Sequence, residues 1–318
     1  MGSNPTGGTY SICTCAGVSV RHRHINRTPV YSLLGSGGPR VEQSSSIGSG
    51  GMVVAQVETS GGLAFERRGR GFAVVLLHGV GHDRTGWDPV VEYLEADHEV
   101  VAVDLPGHGD SPLGDSSGPL GVVELTDRVQ QFLDDTGLEC PTVVGNSLGG
   151  AIALELAARG RAGKVVALAP IGFWSRFEVG YAVAVLRASR ALAALLAPVR
   201  SALLGWTPAR AALLGIYCAH PGRMSSALAL RTVAGFVAAE GLPAILPHSR
   251  RYRFERAGDL SRVPVTIAWG DRDRLLIGGQ ARRARAALPA ARHVRLAGCG
   301  HVPMFDDPRL VAEVILGA

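Results

Sequence analysis

The sequence predicts an α/β fold, in which a mostly parallel central sheet has helices on both faces and a helical block is inserted into the chain. Three observations indicate this fold. The run at residues 73–77 is apolar throughout and those at 141–144 and 164–169 are largely apolar, as in strands buried on both faces. Helical patterns alternate with these runs, as in successive β-α units. The alternation stops near residue 172 and resumes near residue 258.

A hairpin opens the pattern, since strand-like stretches at 53–58 and 63–66 flank the turn residues Ser60-Gly61-Gly62. The next elements are predicted, in order, as a strand at 73–77, a helix at 86–96, a strand at 99–103, a helix at 122–135, a strand at 141–144, a helix at 148–159 and a strand at 164–169. After the interruption the order is a strand at 263–269, a helix at 279–287, a strand at 293–297 and a helix at 308–316.

The helical block spans residues 172–257. It is rich in Ala, Leu and Arg and shows helical periodicity with no convincing strand. We predict a helical cap inserted into one α/β core, which is formed by residues 52–171 and 258–318.

Residues 1–51 are rich in Gly, Ser, Pro and Arg and have no sustained period. Such a stretch buries too little apolar surface to offset its ordering entropy, so we expect a disordered extension. Met52 follows Gly50-Gly51 and is a candidate for the true start. Mass spectrometry of the native protein tests this, because any peptide from before Met52 would contradict it.

Composition limits the classes of partner. The chain has 318 residues, 47% of them hydrophobic, with a net charge of +5. Residues 1–51 hold +3 of this charge and the rest is spread along the chain without a basic stripe, so we expect no nucleic-acid partner. No uninterrupted apolar run is long enough for a membrane span, and no signal-peptide pattern is present. We expect a cytoplasmic protein with a small-molecule substrate, and a homo-oligomer is compatible with the sequence.

The segment Gly145-Asn146-Ser147-Leu148-Gly149 carries the strongest chemical signal. It is a G-x-S-x-G motif between a predicted strand and a predicted helix. A serine on such a strained turn stands above the sheet, and the following helix N-terminus offers free N–H groups to an oxyanion. The context therefore predicts that Ser147 is a nucleophile.

A serine nucleophile needs a base and a carboxylate that orients the base. His301 lies in a tight glycine loop after the strand at 293–297, and Asp271 and Asp273 follow the strand at 263–269. Both loops leave the carboxyl ends of strands, where open α/β sheets place their sites. The order serine, aspartate, histidine is the one expected of this arrangement.

Four separated motifs resemble the α/β-hydrolase superfamily over essentially all of residues 52–318. They are His78-Gly79, the stretch DLPGHGDS at 104–111, the G-x-S-x-G segment, and the two loops that hold the aspartates and His301. The chain is most similar to the serine-nucleophile branch with capped esterases, carbon–carbon bond hydrolases and cofactor-free haloperoxidase-like enzymes.

The resemblance implies roles for single residues. Asp273 is favoured over Asp271 as the triad acid. The oxyanion donors would be the backbone N–H groups of Leu148 and Val80, although the neighbouring glycines could shift the second donor by one position. His78 and Gly79 are substrate-binding candidates, and His78 and His108 are also expected to brace loops.

The cap would cover Ser147 and line an apolar pocket. Trp174, at the cap hinge, is the best lining candidate. The other lining candidates are Phe173, Phe177, Tyr181, Trp206, Met224 and Phe236. His82 is expected to be a solvated loop residue. No pair of histidines has metal-ligand spacing, so we expect no metal site and no cofactor.

The predicted activity is hydrolysis of a small, largely apolar carboxylic ester through Ser147, His301 and Asp273. Related epoxide hydrolases and haloalkane dehalogenases place an aspartate at the position of Ser147. Two alternatives stay open: a carbon–carbon bond hydrolase, and a non-catalytic ligand receptor on the same fold.

Overall fold

A computed structural model of the chain describes residues 12–15, 18–21, 56–114 and 118–317. Two short strands, β1 (Ile12–Cys15) and β2 (Val18–Arg21), pair antiparallel within the extension expected to be disordered. The other residues of that extension, and the candidate start Met52, lie outside the described residues.

The central sheet has eight strands, and its first two form the predicted hairpin. The strands are β3 (Val57–Ser60), β4 (Leu63–Arg68), β5 (Phe72–Leu77), β6 (His98–Val103), β7 (Thr142–Asn146), β8 (Lys164–Leu168), β9 (Val265–Gly270) and β10 (Arg292–Leu296). Their order across the sheet is β10-β9-β8-β7-β5-β6-β4-β3. The pairs from β6 to β10 are parallel. Strand β4 pairs antiparallel with both β6 and β3, so β4 alone among these eight strands runs opposite to the others. The predicted fold class is confirmed.

Strand β5 shows why its sequence is apolar throughout. Val75 and Leu77 belong to one core cluster, and Val74 and Leu76 belong to a second. Successive side chains of a strand point to opposite faces of the sheet, so the two clusters lie on the two sides of the sheet. A run of apolar residues is the pattern that such burial on both faces requires.

Helices cover both faces and fill the insertion. They are α1 (Asp88–Val91), α2 (Val122–Asp135), α3 (Leu148–Ala158), α4 (Arg176–Leu195), α5 (Arg200–Gly205), α6 (Thr207–Leu214), α7 (Ser226–Ala238), α8 (Gly241–Ser249), α9 (Gln280–Ala287), α10 (Pro303–Asp306) and α11 (Pro308–Leu316). The stretch predicted as a cap holds α4 to α8, and residues 169–264, all of them described, contain no strand.

The helix predicted at 86–96 is shorter than expected. The chain forms a 3-10 helix over Arg84–Trp87 and then only one turn, α1. The Tyr93 N–H donates to the carbonyl of Val90 at 3.0 Å, three residues back, so the helix tightens into turns before β6.

Among the described residues, no single helix has both the length and the apolar composition of a membrane span. Helices α7 and α8 meet those two requirements only when taken together, and they are bent by 69° at the break between them.

Candidate active site

Ser147 occupies a strained turn between β7 and α3. Its φ of 56° and ψ of −109° lie in a region that non-glycine residues rarely adopt, and such strain concentrates at functional sites. A Cβ on Gly145 would overlap the carbonyl of Gly149, and a Cβ on Gly149 would overlap the carbonyl of Leu77. Glycine at both positions therefore allows β7, β5 and α3 to approach closely at the serine.

Two candidate N–H donors belong to residues that line one cavity with Ser147, namely Leu148 and Val80. Leu148 is the first residue of α3, so its N–H has no partner within the helix. In the loop after β5, the Gly81 N–H donates to Nε2 of His108 at 2.9 Å, whereas no hydrogen bond between described residues uses the Val80 N–H. The shift of the donor to Gly81 that the sequence left open is thus disfavoured, and Val80 stays the candidate.

His78 and His108 hold the loops beneath the site through backbone groups. Nε2 of His78 accepts the Leu105 N–H at 2.9 Å, and its Nδ1 contacts the carbonyl of Gly79 at 2.8 Å. Nδ1 of His108 contacts the carbonyl of Pro106 at 3.0 Å. Burial lowers the pKa of His78 to about 4 and that of His108 to about 3, so both rings are neutral at pH 7.

His78 corrects one expectation. Its side chain is fully buried, both ring nitrogens are engaged by the backbone, and it does not line the cavity at Ser147. His78 is therefore a bracing residue and makes no direct contact with a substrate there. Gly79, the other candidate of this motif, does line the cavity. A Cβ on it would come within 3.4 Å of the Cβ of Ser147.

Asp273 and His301 form a buried pair. Oδ2 of Asp273 lies 2.9 Å from Nδ1 of His301. The other carboxylate oxygen accepts the N–H groups of Leu275 at 2.9 Å and Leu276 at 2.8 Å. Burial opposes ionisation of this carboxyl, but the neighbouring His301 and these hydrogen bonds outweigh it and lower the pKa of Asp273. The carboxylate is thus held in one orientation against the imidazole.

Asp271 has different partners. It accepts hydrogen bonds from Nη2 of Arg295 and from the Gly298 N–H, each at 2.8 Å. The hydrogen bond from Arg295 is the main reason that the pKa of Asp271 is lowered. The geometry therefore pairs Asp273 with His301 and assigns Asp271 to the turn.

Two buried side chains that the sequence reasoning missed hold the histidine loop. The side-chain amide of Asn146 donates to the carbonyls of His301 at 3.0 Å and Leu168 at 3.2 Å. Asn146 directly precedes Ser147, so it ties the turn of Ser147 to the loop of His301. The motif accepts any residue between its first glycine and the serine, so the motif alone does not predict a role for Asn146.

The second is Asp306, in α10. Its carboxylate accepts the N–H of Gly300 at 2.7 Å, within the histidine loop. It also accepts the N–H groups of Ala219 at 2.9 Å and His220 at 2.7 Å, which belong to the predicted cap. One side chain thus joins the loop of His301 to the helical insertion.

Ser147 and His301 both line a cavity of about 1000 Å³. Its walls are mainly apolar, and they come from the loops of the sheet and from the helical insertion. Val80, Leu148 and Trp174 line it as expected, together with Met224 and Phe236. The indole Nε1 of Trp174 donates to the carbonyl of Tyr252 at 3.2 Å, which fixes the ring in the wall.

The remaining lining candidates have other roles. Phe173 is buried in the core beside Phe254, and the Tyr181 hydroxyl donates to the carbonyl of Arg274. Phe177 and Trp206 are exposed at 76% and 64%. Helical periodicity alone could not tell which of these faces point inward.

His82 also differs from expectation, because it lines the cavity with its ring 5.5 Å from that of Phe305. Burial lowers its pKa, and the nearby His301 adds to the effect. Within the described residues, no three His, Cys, Asp or Glu side chains are arranged to hold a metal ion.

Comparisons with known proteins identify a family and several relatives for this chain. The model of the Alpha/beta hydrolase family matches residues 74–314. The uncharacterized protein Rv2715 of Mycobacterium tuberculosis is 28% identical over 271 residues, which cover 79% of this chain and 76% of the relative. The epoxide hydrolase EphH of the same organism is 30% identical over 204 residues, covering 60% and 91%.

A solved structure described as a membrane phospholipase A superposes with a TM-score of 0.63. It is 25% identical in sequence, and the match covers 80% of this chain and 81% of that one.

Proposed function

We propose, from the premise that this chain belongs to the alpha/beta hydrolase family, that it is a serine hydrolase of small, largely apolar carboxylic esters. Ser147 is the nucleophile, His301 the general base and Asp273 the orienting acid. Hydrolysis is the activity common to the family, whereas the triad and the ester substrate belong to this proposal.

One observation carries the proposal. The buried Asp273 carboxylate bonds to Nδ1 of His301 at 2.9 Å, and Ser147 lies on the wall of the same cavity as His301. A carboxylate at Nδ1 leaves Nε2 unprotonated and able to accept a proton from a serine hydroxyl. The strained turn at Ser147 and the two N–H groups of Leu148 and Val80 are the other parts that acyl transfer requires.

The proposed reaction has two steps. His301 takes the hydroxyl proton while Oγ of Ser147 attacks the ester carbonyl carbon, and the oxyanion accepts hydrogen bonds from the Leu148 and Val80 N–H groups. The protonated His301 then donates that proton to the leaving alkoxide, which departs as the alcohol and leaves an acyl-enzyme. Water, activated by the same base, releases the acid. Loss of one oxyanion donor typically costs about 3 kcal/mol of transition-state stabilisation.

The walls of the cavity favour an apolar substrate. Trp174, Leu186, Met224 and Phe236 surround the space in front of Ser147, and a site of this kind binds chiefly by removing apolar surface from water.

The relatives include an epoxide hydrolase, so the proposal of ester hydrolysis needs a reason to prefer it over epoxide hydrolysis. Epoxide hydrolases of this fold use an aspartate nucleophile, whereas this chain has Ser147 at that position. A serine forms an ester with an acyl group and needs an adjacent base, and His301 with Asp273 fits that requirement.

The test uses a fluorescent organophosphonate, with the adduct located by mass spectrometry. We expect labelling at Ser147, none in Ser147→Ala, and labelling slowed by on the order of 10³-fold or more in Asp273→Asn, since the wrong tautomer of the base then dominates. Asp271→Asn is the matched control and should label normally, because Asp271 bonds to Arg295 and Gly298 instead.

Turnover of p-nitrophenyl esters by the unlabelled protein then separates the alternatives. A carbon–carbon bond hydrolase would label but turn over vinylogous diketones faster than esters. A folded protein that neither labels nor turns over esters would contradict the proposal and favour a ligand receptor.

A further inference from the structure

The helical insertion exposes four large apolar side chains within a short stretch of the chain, where α4 ends and at the two ends of α5. Leu192 and Leu195 in the last turn of α4, Val199 just before α5 and Trp206 just after it are 45%, 77%, 50% and 64% exposed. Large apolar groups clustered on a surface usually mark an interaction site, whereas single exposed ones are ordinary. These four residues are called the apolar ridge below.

The outward side of α4 continues the ridge. Phe177, Ala184, Ala188 and Ala191 are exposed at helical spacing, and Arg187 is the exposed charge among them. A surface helix normally presents polar residues to water and its apolar stripe to the core. Helix α4 therefore presents to solvent a face suited to an apolar environment.

The charge of the chain is concentrated in the same segment. Residues 172–257 contain eleven arginines and three glutamates, a formal charge of +8, whereas the whole chain carries +5. The charge outside residues 1–51 was expected to be spread along the chain, but it is concentrated at residues 172–257. Within the described residues, Arg187, Arg190 and Arg200 form no ion pair with a carboxylate. Arg187 is exposed, whereas Arg190 and Arg200 are half-buried and Nη2 of Arg190 donates to the carbonyl of Val237 at 2.8 Å.

A second cavity, of about 490 Å³, lies between the ridge and the candidate active site. Leu192, Leu196 and Arg200 line it on the ridge side. Leu214, Tyr217, Val233 and Phe236 line both this cavity and the cavity at Ser147. The two apolar spaces are therefore adjacent and share a wall.

We propose that the apolar ridge docks on an anionic lipid bilayer, and that the second cavity then receives an acyl chain from that bilayer. Apolar side chains enter the headgroup region while arginines around them contact anionic headgroups, as in interfacial amphipathic helices. The docking stands on the exposed ridge and its charge alone. Only the delivery of an acyl chain to Ser147 rests on the proposed function.

Other occupants fit less well. A second copy of the chain would bring one strongly positive segment against another, which costs association free energy. A nucleic acid would match the charge but would leave Leu195 and Trp206 without an apolar partner. An anionic bilayer matches both properties of the ridge.

Trp206 is a built-in reporter for the test. The chain has four tryptophans, and the other three, Trp87, Trp174 and Trp269, are buried. We expect the emission of the full chain to shift to shorter wavelength with vesicles of equal parts phosphatidylcholine and phosphatidylglycerol. The shift should be smaller with phosphatidylcholine alone, should weaken with added salt, and should be lost in Trp206→Phe.

Co-sedimentation with the same vesicles measures binding directly. Leu195→Glu should lower the partition onto vesicles by at least about tenfold, because burying one leucine contributes about a factor of ten or more. Phe72→Glu is the matched control: Phe72 is equally exposed but begins β5, at the opposite end of that strand from the Ser147 loops, and binding should not change.

Three results would overturn the docking. They are no binding to anionic vesicles, equal loss in Phe72→Glu and Leu195→Glu, or a spectral shift that depends on protein concentration without vesicles, which would indicate self-association.

Organophosphonate labelling separates this outcome from that of the proposed function. Labelling without vesicle binding would remove the docking alone, and vesicle binding without labelling would remove the esterase function alone.

Discussion

The carbonyl oxygen of His301 is held by the side chain of Asn146, one residue before the candidate nucleophile. The hydrogen bond fixes the backbone of the base loop relative to β7, while Asp273 fixes its imidazole. The position of the base thus depends on two contacts, one on its main chain and one on its ring.

We expect Asn146→Ala to lower kcat by about tenfold or more with little change in KM. The buried carbonyl of His301 would lose its side-chain donor, and such a loss costs about 1–3 kcal/mol. The carbonyl of Leu168 would keep the Ser147 N–H as a donor. The check is steady-state kinetics on a soluble ester together with the rate of organophosphonate labelling.

Gln131→Ala serves as the control, because it removes an amide that hydrogen bonds to Asp135 on the exposed face of α2. An unchanged kcat in Asn146→Ala, or the same loss in both variants, would show that Asn146 does not position the base.

Sequence motifs identified Ser147, His301 and the aspartate loop because glycines and strand ends surround them in the chain. The motifs did not identify Asn146 and Asp306, since each hydrogen bonds to backbone groups far away in sequence. The amide of Asn146 reaches a carbonyl 155 residues away. A local sequence pattern does not show that a side chain will hydrogen bond to a main-chain atom so distant in the chain.

At the scale of elements, the two cavities share a wall made of side chains from α6, from α7 and from Tyr217 between them. Ala193 of α4 lines the second cavity but not the one at Ser147. A larger residue there would fill the proposed acyl-chain space without touching the triad.

For Ala193→Phe we expect kcat/KM for a p-nitrophenyl decanoate to fall by about tenfold, since steric exclusion of a few methylenes is worth this much. The value for p-nitrophenyl acetate should stay the same. Ala191→Phe, two residues away on the exposed side of α4, is the control. Equal effects on both esters would place the long chain elsewhere.

The order of the elements could be predicted, because apolar strands and amphipathic helices have distinct periods. The bounds of α2 and α11 match the prediction at both ends. The sequence does not tell which face of an inserted helix meets the core. Phe177 and Trp206, expected to line the pocket, are therefore found exposed instead. That choice is made by tertiary packing and not by local period.

On the scale of the whole molecule, buried neutral histidines make the fold sensitive to acid. In the unfolded chain a histidine binds a proton near pH 6.5, whereas burial lowers the pKa of His78 to about 4 and of His108 to about 3. The unfolded state therefore binds more protons below pH 6.5. The stabilisation is complete above that pH and is lost as the pH falls toward the folded pKa values.

We expect the free energy of unfolding to fall between pH 6.5 and 5 by about 1.4 kcal/mol per pH unit for each such histidine. Urea titrations at a series of pH values measure the slope. His108→Asn, whose amide can still accept from the Gly81 N–H, should show a slope smaller by one histidine. The same slope in both proteins would contradict a neutral, buried His108.

Asp306 joins the histidine loop to the helical insertion by accepting only main-chain N–H groups, those of Gly300, Ala219 and His220. A hydrogen bond to a main-chain N–H group does not depend on which side chain that residue carries. Substitutions of the side chains at Ala219 and His220 therefore leave the hydrogen bonds of this joint available. The same feature makes this joint a practical splice point for grafting insertions between homologues.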